Sequence, residues 1–136
     1  MKIDIFNHVM PAPYLELMKR YSKDAGLVKR MSNLRMLWDI DARVAMLAEK
    51  FPDVQQVLTL SLPPPEALGG PELAPELARV ANDGMAEICR RWPERFPAFV
   101  ASLPMNNVPA ALAEMDRAIL KLGARGVQRP AWTHSP

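Results

Sequence analysis

Cysteine is almost missing from this chain. The one present, Cys89, cannot form an intrachain disulfide, so the fold rests on its core and a cytoplasmic setting is expected. Its surroundings, Ala86-Glu87-Ile88-Cys89-Arg90, read as a helix interior and make Cys89 a buried, inert thiol. Long apolar runs are missing too. No stretch approaches the ~20 residues of a membrane span, and the N-terminus lacks an apolar core with a small-residue cleavage site. No membrane partner is expected. Neither sign of charge dominates, since 17 Lys and Arg oppose 15 Asp and Glu for a net charge of +2. That balance gives no footprint for nucleic acid. No strand is followed by a glycine-rich phosphate loop. Gly69-Gly70 lies among prolines, without G-x-G-x-x-G or a P-loop lysine, so nucleotide binding is disfavoured. No Ser-His-Asp or Cys-His arrangement is placed for nucleophilic catalysis, and no catalytic residue is assigned.

What is present is an ordinary apolar content, 49% over 136 residues, enough for one domain with a core. Residues 2–9 alternate weakly around Ile3, Ile5 and Val9 and predict a strand ended by Pro11. A short amphipathic helix is expected over 14–21, and a long basic loop, or a loop with a helical turn, over 22–38. Asp39 caps a helix over 39–50, which Pro52 breaks. Strands are expected over 54–62 (VQQVLTLSL), 96–103 (FPAFVASL) and 124–128. Helices over 76–92 and from Asn106 or Asn107 to about Leu122 separate them, and Gly123 suits the position after the last helix. Strands alternating with helices argue for an α/β fold with parallel strands and crossover helices. The strands are apolar runs, as expected when both faces are covered.

The stretches KIDIFNHVMP, WDIDARVAMLAE, FPDVQQVLTLSLPPP and RFPAFVASLPMNN…ALAEMDRAILKLGARGVQ follow one another in a familiar order. Together they resemble the N-terminal half of the amidohydrolase-related family, in the branch of the aminocarboxymuconate-semialdehyde and resorcylate-type decarboxylases. The resemblance implies half of a (β/α)8 barrel over residues 1–128, with residues 129–136 as an irregular tail. It implies a metal-dependent carboxy-lyase or hydrolase acting on a small carboxylate-bearing substrate. A divalent metal, usually zinc, would sit at the C-terminal mouth of the barrel. In the family the first strand carries His-x-His or Glu-x-His, and two further ligands come from the fifth and eighth strands.

Here that motif reads Phe6-Asn7-His8. Residues i and i+2 of a strand face the same way, so positions 6 and 8 would form a natural ligand pair at the mouth. Only His8 has a lone pair to offer, and a catalytic zinc site normally takes three protein ligands. A whole barrel takes about 250 residues, so the family's later ligands have no position here. The expectation is a truncated chain with an incomplete metal site. The alternative is a non-catalytic half-barrel, or a subunit that pairs with another chain, itself included, through open sheet edges. Arg35, in the loop after the first strand, is the candidate for a substrate carboxylate, with a solvated loop cation as the alternative. Trp38 is expected to pack under that loop. His134, Glu49, Asp53, Glu87 and Glu94 read as solvated.

Overall fold

The computed structural model describes residues 1–129. Its strands are β1 (Lys2–Asp4), β2 (Val54–Leu58), β3 (Ala98–Phe99), β4 (Ala101–Ser102) and β5 (Val127–Gln128). The helices are α1 (Ala12–Tyr21), α2 (Ala25–Asn33), α3 (Arg35–Trp38), α4 (Ile40–Lys50), α5 (Pro65–Leu68), α6 (Ala74–Arg91) and α7 (Val108–Leu120). Every strand pair is parallel: Lys2 faces Val54, Leu58 faces Phe99, and Ala101 faces Val127. β3 and β4 belong to one run. The Val100 amide donates to the Leu58 carbonyl at 2.8 Å, while the next amide, Ala101, donates the other way to Gly126 at 2.9 Å. The order β1–β2–β3/β4–β5 is therefore a four-stranded parallel sheet with helical crossovers, the architecture of half a barrel.

Helix α6 anchors the layer outside the sheet. Leu77, Ala78, Ala81, Met85 and Ile88 recur at helical spacing and are buried. They share one core with Tyr14 and Met18 of α1, Leu47 of α4, Leu58 of β2, and Phe96 and Phe99. Each large side chain fully removed from water there stabilises the fold by about 1.5–3 kcal/mol. Gly84 is needed where α6 meets the start of α1, because a Cβ there would stand 2.4 Å from the Cβ of Pro11.

The caps act as expected. Asp39 Oδ1 accepts from the Ala42 amide at 3.0 Å, and Asn107 Oδ1 accepts from Ala110 at 3.2 Å. Gly123 adopts φ 78°, a left-handed conformation that favours glycine. Two expectations need correction. Residues 22–38 are not a loop but hold α2 and α3, with Asp24 Oδ1 capping α2 through the Leu27 amide at 2.9 Å. Their basic residues hid Leu27, Val28 and Met31, which supply the apolar stripe. The first strand is also shorter than 2–9. Regular pairing ends at Asp4 and resumes only as a bridge between Val9 and Leu60. Asp4 Oδ1 takes the Phe6 amide at 3.0 Å, and Asn7 Nδ2 donates to the carbonyls of Asp4 and Val57, replacing ladder bonds with side-chain ones. Among the described residues no helix is long and apolar enough to cross a membrane.

Candidate functional site at the strand ends

The interruption after β1 decides which way three side chains point. Asn7 turns inward and is buried, while Phe6 and His8 turn out together. Their rings meet edge to face, with centroids 5.7 Å apart. Position 6 thus lies where a second donor beside His8 would lie, and phenylalanine supplies none.

Behind this pair a buried network holds the backbone. Arg43 of α4 is only 5% exposed. Its Nη1 donates to the His8 carbonyl at 2.6 Å, its Nη2 to Asn7 Oδ1 at 2.9 Å, and its Nε to Gln56 Oε1 at 2.9 Å. Gln56 Nε2 in turn donates to Asp4 Oδ2 at 3.0 Å. Burial pulls the guanidinium below its ordinary pKa, and the charge of Asp4 opposes that shift. A buried charge without hydrogen bonds would be costly, and this one is bonded from every nitrogen. In front, His8 Nδ1 lies 2.8 Å from the hydroxyl of Thr59, which itself donates to the Asn7 carbonyl.

His8 borders a cavity of about 410 Å3. Its polar wall is Arg129 together with His8, Ser61, Ser102 and Gln128, one from each strand end of the sheet, and Leu34, Leu37, Leu60 and Leu62 make it largely apolar. Small-molecule pockets fall in this size range, and parallel α/β folds place them at the carboxyl ends of their strands. Gln128 Oε1 is buried with no hydrogen-bond partner among the described residues, an acceptor waiting for a donor. A second cavity of about 460 Å3 joins His8 to Arg35 and Met36. Arg35 Nε is engaged by Asp39 Oδ2 at 2.8 Å on an exposed surface. The structure therefore brings His8 and Arg35 to one cavity. His134 lies outside the described residues. Trp38 packs partly against the core, its indole N–H donating to the Ser32 carbonyl at 3.1 Å. The thiol of Cys89 is pushed up to about 11 by burial, as an inert thiol requires.

Sequence reading missed Thr59, Gln128 and Glu66. Thr59 had a signal, being the one β-branched hydroxyl residue in an apolar strand run. Glu66, on α5, had none. Both its carboxylate oxygens are shielded from solvent with no hydrogen-bond partner among the described residues, and burial raises its pKa.

No group of three His, Cys, Asp or Glu able to hold a metal ion occurs among the described residues. One imidazole beside a phenyl ring does not make a metal centre. The described residues by themselves do not fit the metal that the resemblance implies.

No family model matches the chain. The fold is that of the N-terminal part of a TIM barrel, a class shared with the amidohydrolase-like structures that it matches. Within it the chain is homologous to decarboxylases. It is 43% identical over 70 residues to a gamma-resorcylate decarboxylase of Rhizobium radiobacter, covering 52% of this chain and 21% of that one. It is 28% identical over 147 aligned positions to the 2-amino-3-carboxymuconate-6-semialdehyde decarboxylase of Dictyostelium discoideum, covering 94% of this chain and 40% of that one. A crystal structure of a dihydroxybenzoic acid decarboxylase from Polaromonas sp., with bound manganese and the inhibitor 2-nitroresorcinol, superposes with a TM-score of 0.73 at 32% identity. That match covers 93% of this chain and 37% of its counterpart. The chain thus spans between about a fifth and two fifths of the length of these relatives.

Proposed function

We propose that this chain forms the N-terminal half of the substrate mouth of a carboxy-lyase of the amidohydrolase-like group. The substrate class is a small aromatic carboxylate of the dihydroxybenzoate kind. The observation that carries this reading is the place of His8. It stands at the end of the first strand, on the wall of a cavity built from the ends of all four strand runs. The relatives act on resorcylate or on a carboxymuconate semialdehyde, and the cavity suits such a ligand. Its leucines would exclude water from a ring and strengthen every polar contact inside. The buried Gln128 Oε1 would accept from a ring hydroxyl. Arg35, on the neighbouring cavity that His8 also borders, would offer its terminal nitrogens to a carboxylate reaching past His8, since Asp39 takes its Nε.

His8 would be this segment's one metal donor. Zinc and manganese both suit a site of nitrogen and oxygen ligands, and manganese is the ion in the Polaromonas relative. The remaining donors would have to lie outside the described residues, so no step is assigned to the metal. Phe6 favours a second reading, a non-catalytic half-barrel that pairs with another chain. Titration with gamma-resorcylate, followed by amide NMR, tests the first. Shifts confined to His8, Arg35, Ser61, Ser102 and Gln128 are expected. Shifts elsewhere, or none up to millimolar ligand, would overturn it in favour of the second.

A further inference from the structure

Thr59 follows the last regular residue of β2. Its hydroxyl touches two groups. It donates to the Asn7 carbonyl in a very short bond, and it lies 2.8 Å from His8 Nδ1. A threonine hydroxyl has one proton to give. A carbonyl oxygen has no proton to give, so the hydroxyl must be the donor in that bond. The Thr59 proton is therefore spent on Asn7. Only lone pairs of Oγ1 remain for His8, so the imidazole nitrogen facing them must be an N–H. A neutral imidazole carries one such proton, which leaves Nε2 as the bare nitrogen.

The arrangement is held from all sides. The Val9 amide donates to the Thr59 carbonyl at 2.8 Å, which sets the two strand ends in register. Arg43 fixes the Asn7 side chain and the His8 carbonyl. Thr59 cannot turn away without giving up the Asn7 carbonyl, and His8 cannot without giving up Thr59.

We propose that Thr59 is a positioning residue that fixes the tautomer of His8, with the proton on Nδ1 and the lone pair of Nε2 offered to the mouth. The consequence for ligands rests on the reading of His8 as the mouth's donor. Nε2 then selects an electron-pair acceptor, meaning an acidic hydroxyl proton or a Lewis-acidic cation, and disfavours a carbonyl oxygen. Fixing one ring nitrogen by a hydrogen bond so that the other can act is a general use of histidine.

The test is long-range proton–nitrogen NMR on the 15N-labelled chain at about pH 8.5, well above the ordinary imidazole pKa of about 6.5. The chain has two histidines, and the His8 signals are those missing from His8→Gln. The expected pattern for His8 is protonated Nδ1 and bare Nε2. Thr59→Val should shift it toward the other tautomer, and Thr59→Ser should keep it, with amide dispersion confirming the fold. Protonated Nε2 in the unmodified chain, or a Thr59→Val pattern equal to the unmodified one, would overturn the proposal. If Thr59→Val does not fold, the unmodified chain and Thr59→Ser decide the matter. Failure of gamma-resorcylate to bind would sink the functional reading but leave this tautomer untouched, so the two fail separately.

Discussion

At the scale of single residues, polar groups are either fully bonded or conspicuously unbonded, and the difference makes predictions. Arg43 satisfies its charge through four acceptors, so burial there is tolerated. Glu66 does the opposite. Its shielded carboxylate has no hydrogen-bond partner among the described residues, and it sits near the buried Tyr14 hydroxyl, whose pKa burial and the charge of Glu66 both raise. Because the folded pKa of Glu66 is raised, the folded chain holds its proton more tightly than the unfolded chain does. The protein is then unpenalised at a pH below the ordinary carboxylate value of about 4.3. It loses stability as pH rises from there through the folded value, and the loss is constant above it. Glu66→Gln should remove this slope. Urea midpoints of the two chains should agree near pH 4 and diverge toward pH 7, with the variant the more stable. Parallel curves across that range would refute the assignment. None of this was legible in Leu62-Pro63-Pro64-Pro65-Glu66, because a proline-rich run does not say which way the next side chain turns. His8 was singled out by the resemblance of Phe6-Asn7-His8 to a first-strand His-x-His motif, because spacing alone cannot tell a ligand pair from a strand end.

At the scale of elements, capping residues were readable and side-chain substitutes for backbone bonds were not. Asp39 and Asn107 were identifiable because a helix start needs an oxygen at that position. The interruption of the first strand was not, since it depends on Asn7 reaching Val57, fifty residues away. Helix α2 was missed because Lys29 and Arg30 read as loop chemistry, although Val28 and Met31 pack against the core beneath them. The clamp between α6, α7 and the sheet was equally hidden. Asn82 is fully buried, accepts the Ser102 amide at 2.8 Å, and donates to the Ser102 carbonyl at 2.8 Å and to Glu114 at 2.9 Å. Asn82→Ala would leave the Ser102 amide and carbonyl buried without this partner, while Glu114 keeps Arg117. It should cost roughly 3 kcal/mol by urea unfolding, at an unchanged slope. Gly84→Ala makes a sharper contrast. An alanine inside a helix normally stabilises by up to about 1 kcal/mol. Here the new methyl meets Pro11, and overpacking should reverse the sign, with a loss of about 1–3 kcal/mol. A gain in stability would show that α1 and α6 can part.

For the whole molecule, the order of strands and crossovers gave a parallel α/β fold, because alternating runs leave few other arrangements, and the family resemblance narrowed it to half a barrel. What no periodicity revealed is where apolar surface stays uncovered. It gathers at the two flanks of the sheet. Ile3, Ile5 and Phe6 are exposed along β1, and Val108, Leu112, Ile119 and Leu120 are exposed along α7 beside β5. Positions 108, 112 and 119 share a helix face, which suits a further layer of structure. Leu112→Glu combined with Ile119→Lys should make the chain elute nearer its monomer mass of 15.2 kDa than the unmodified chain does. If both elute as monomers at tens of micromolar, these flanks are not sticky and the pairing reading loses its support.

The central claim is that position 6 is a ligand position whose donor has been replaced, leaving His8 as the one donor of this segment. Calorimetric titration of the chain and of Phe6→His with Zn2+ and with Mn2+ tests it most directly. The unmodified chain should bind weakly, and Phe6→His should bind at least about tenfold more tightly, a gain of ~1.4 kcal/mol or more. Equal affinities, or a tight stoichiometric ion in the unmodified chain, would contradict the account.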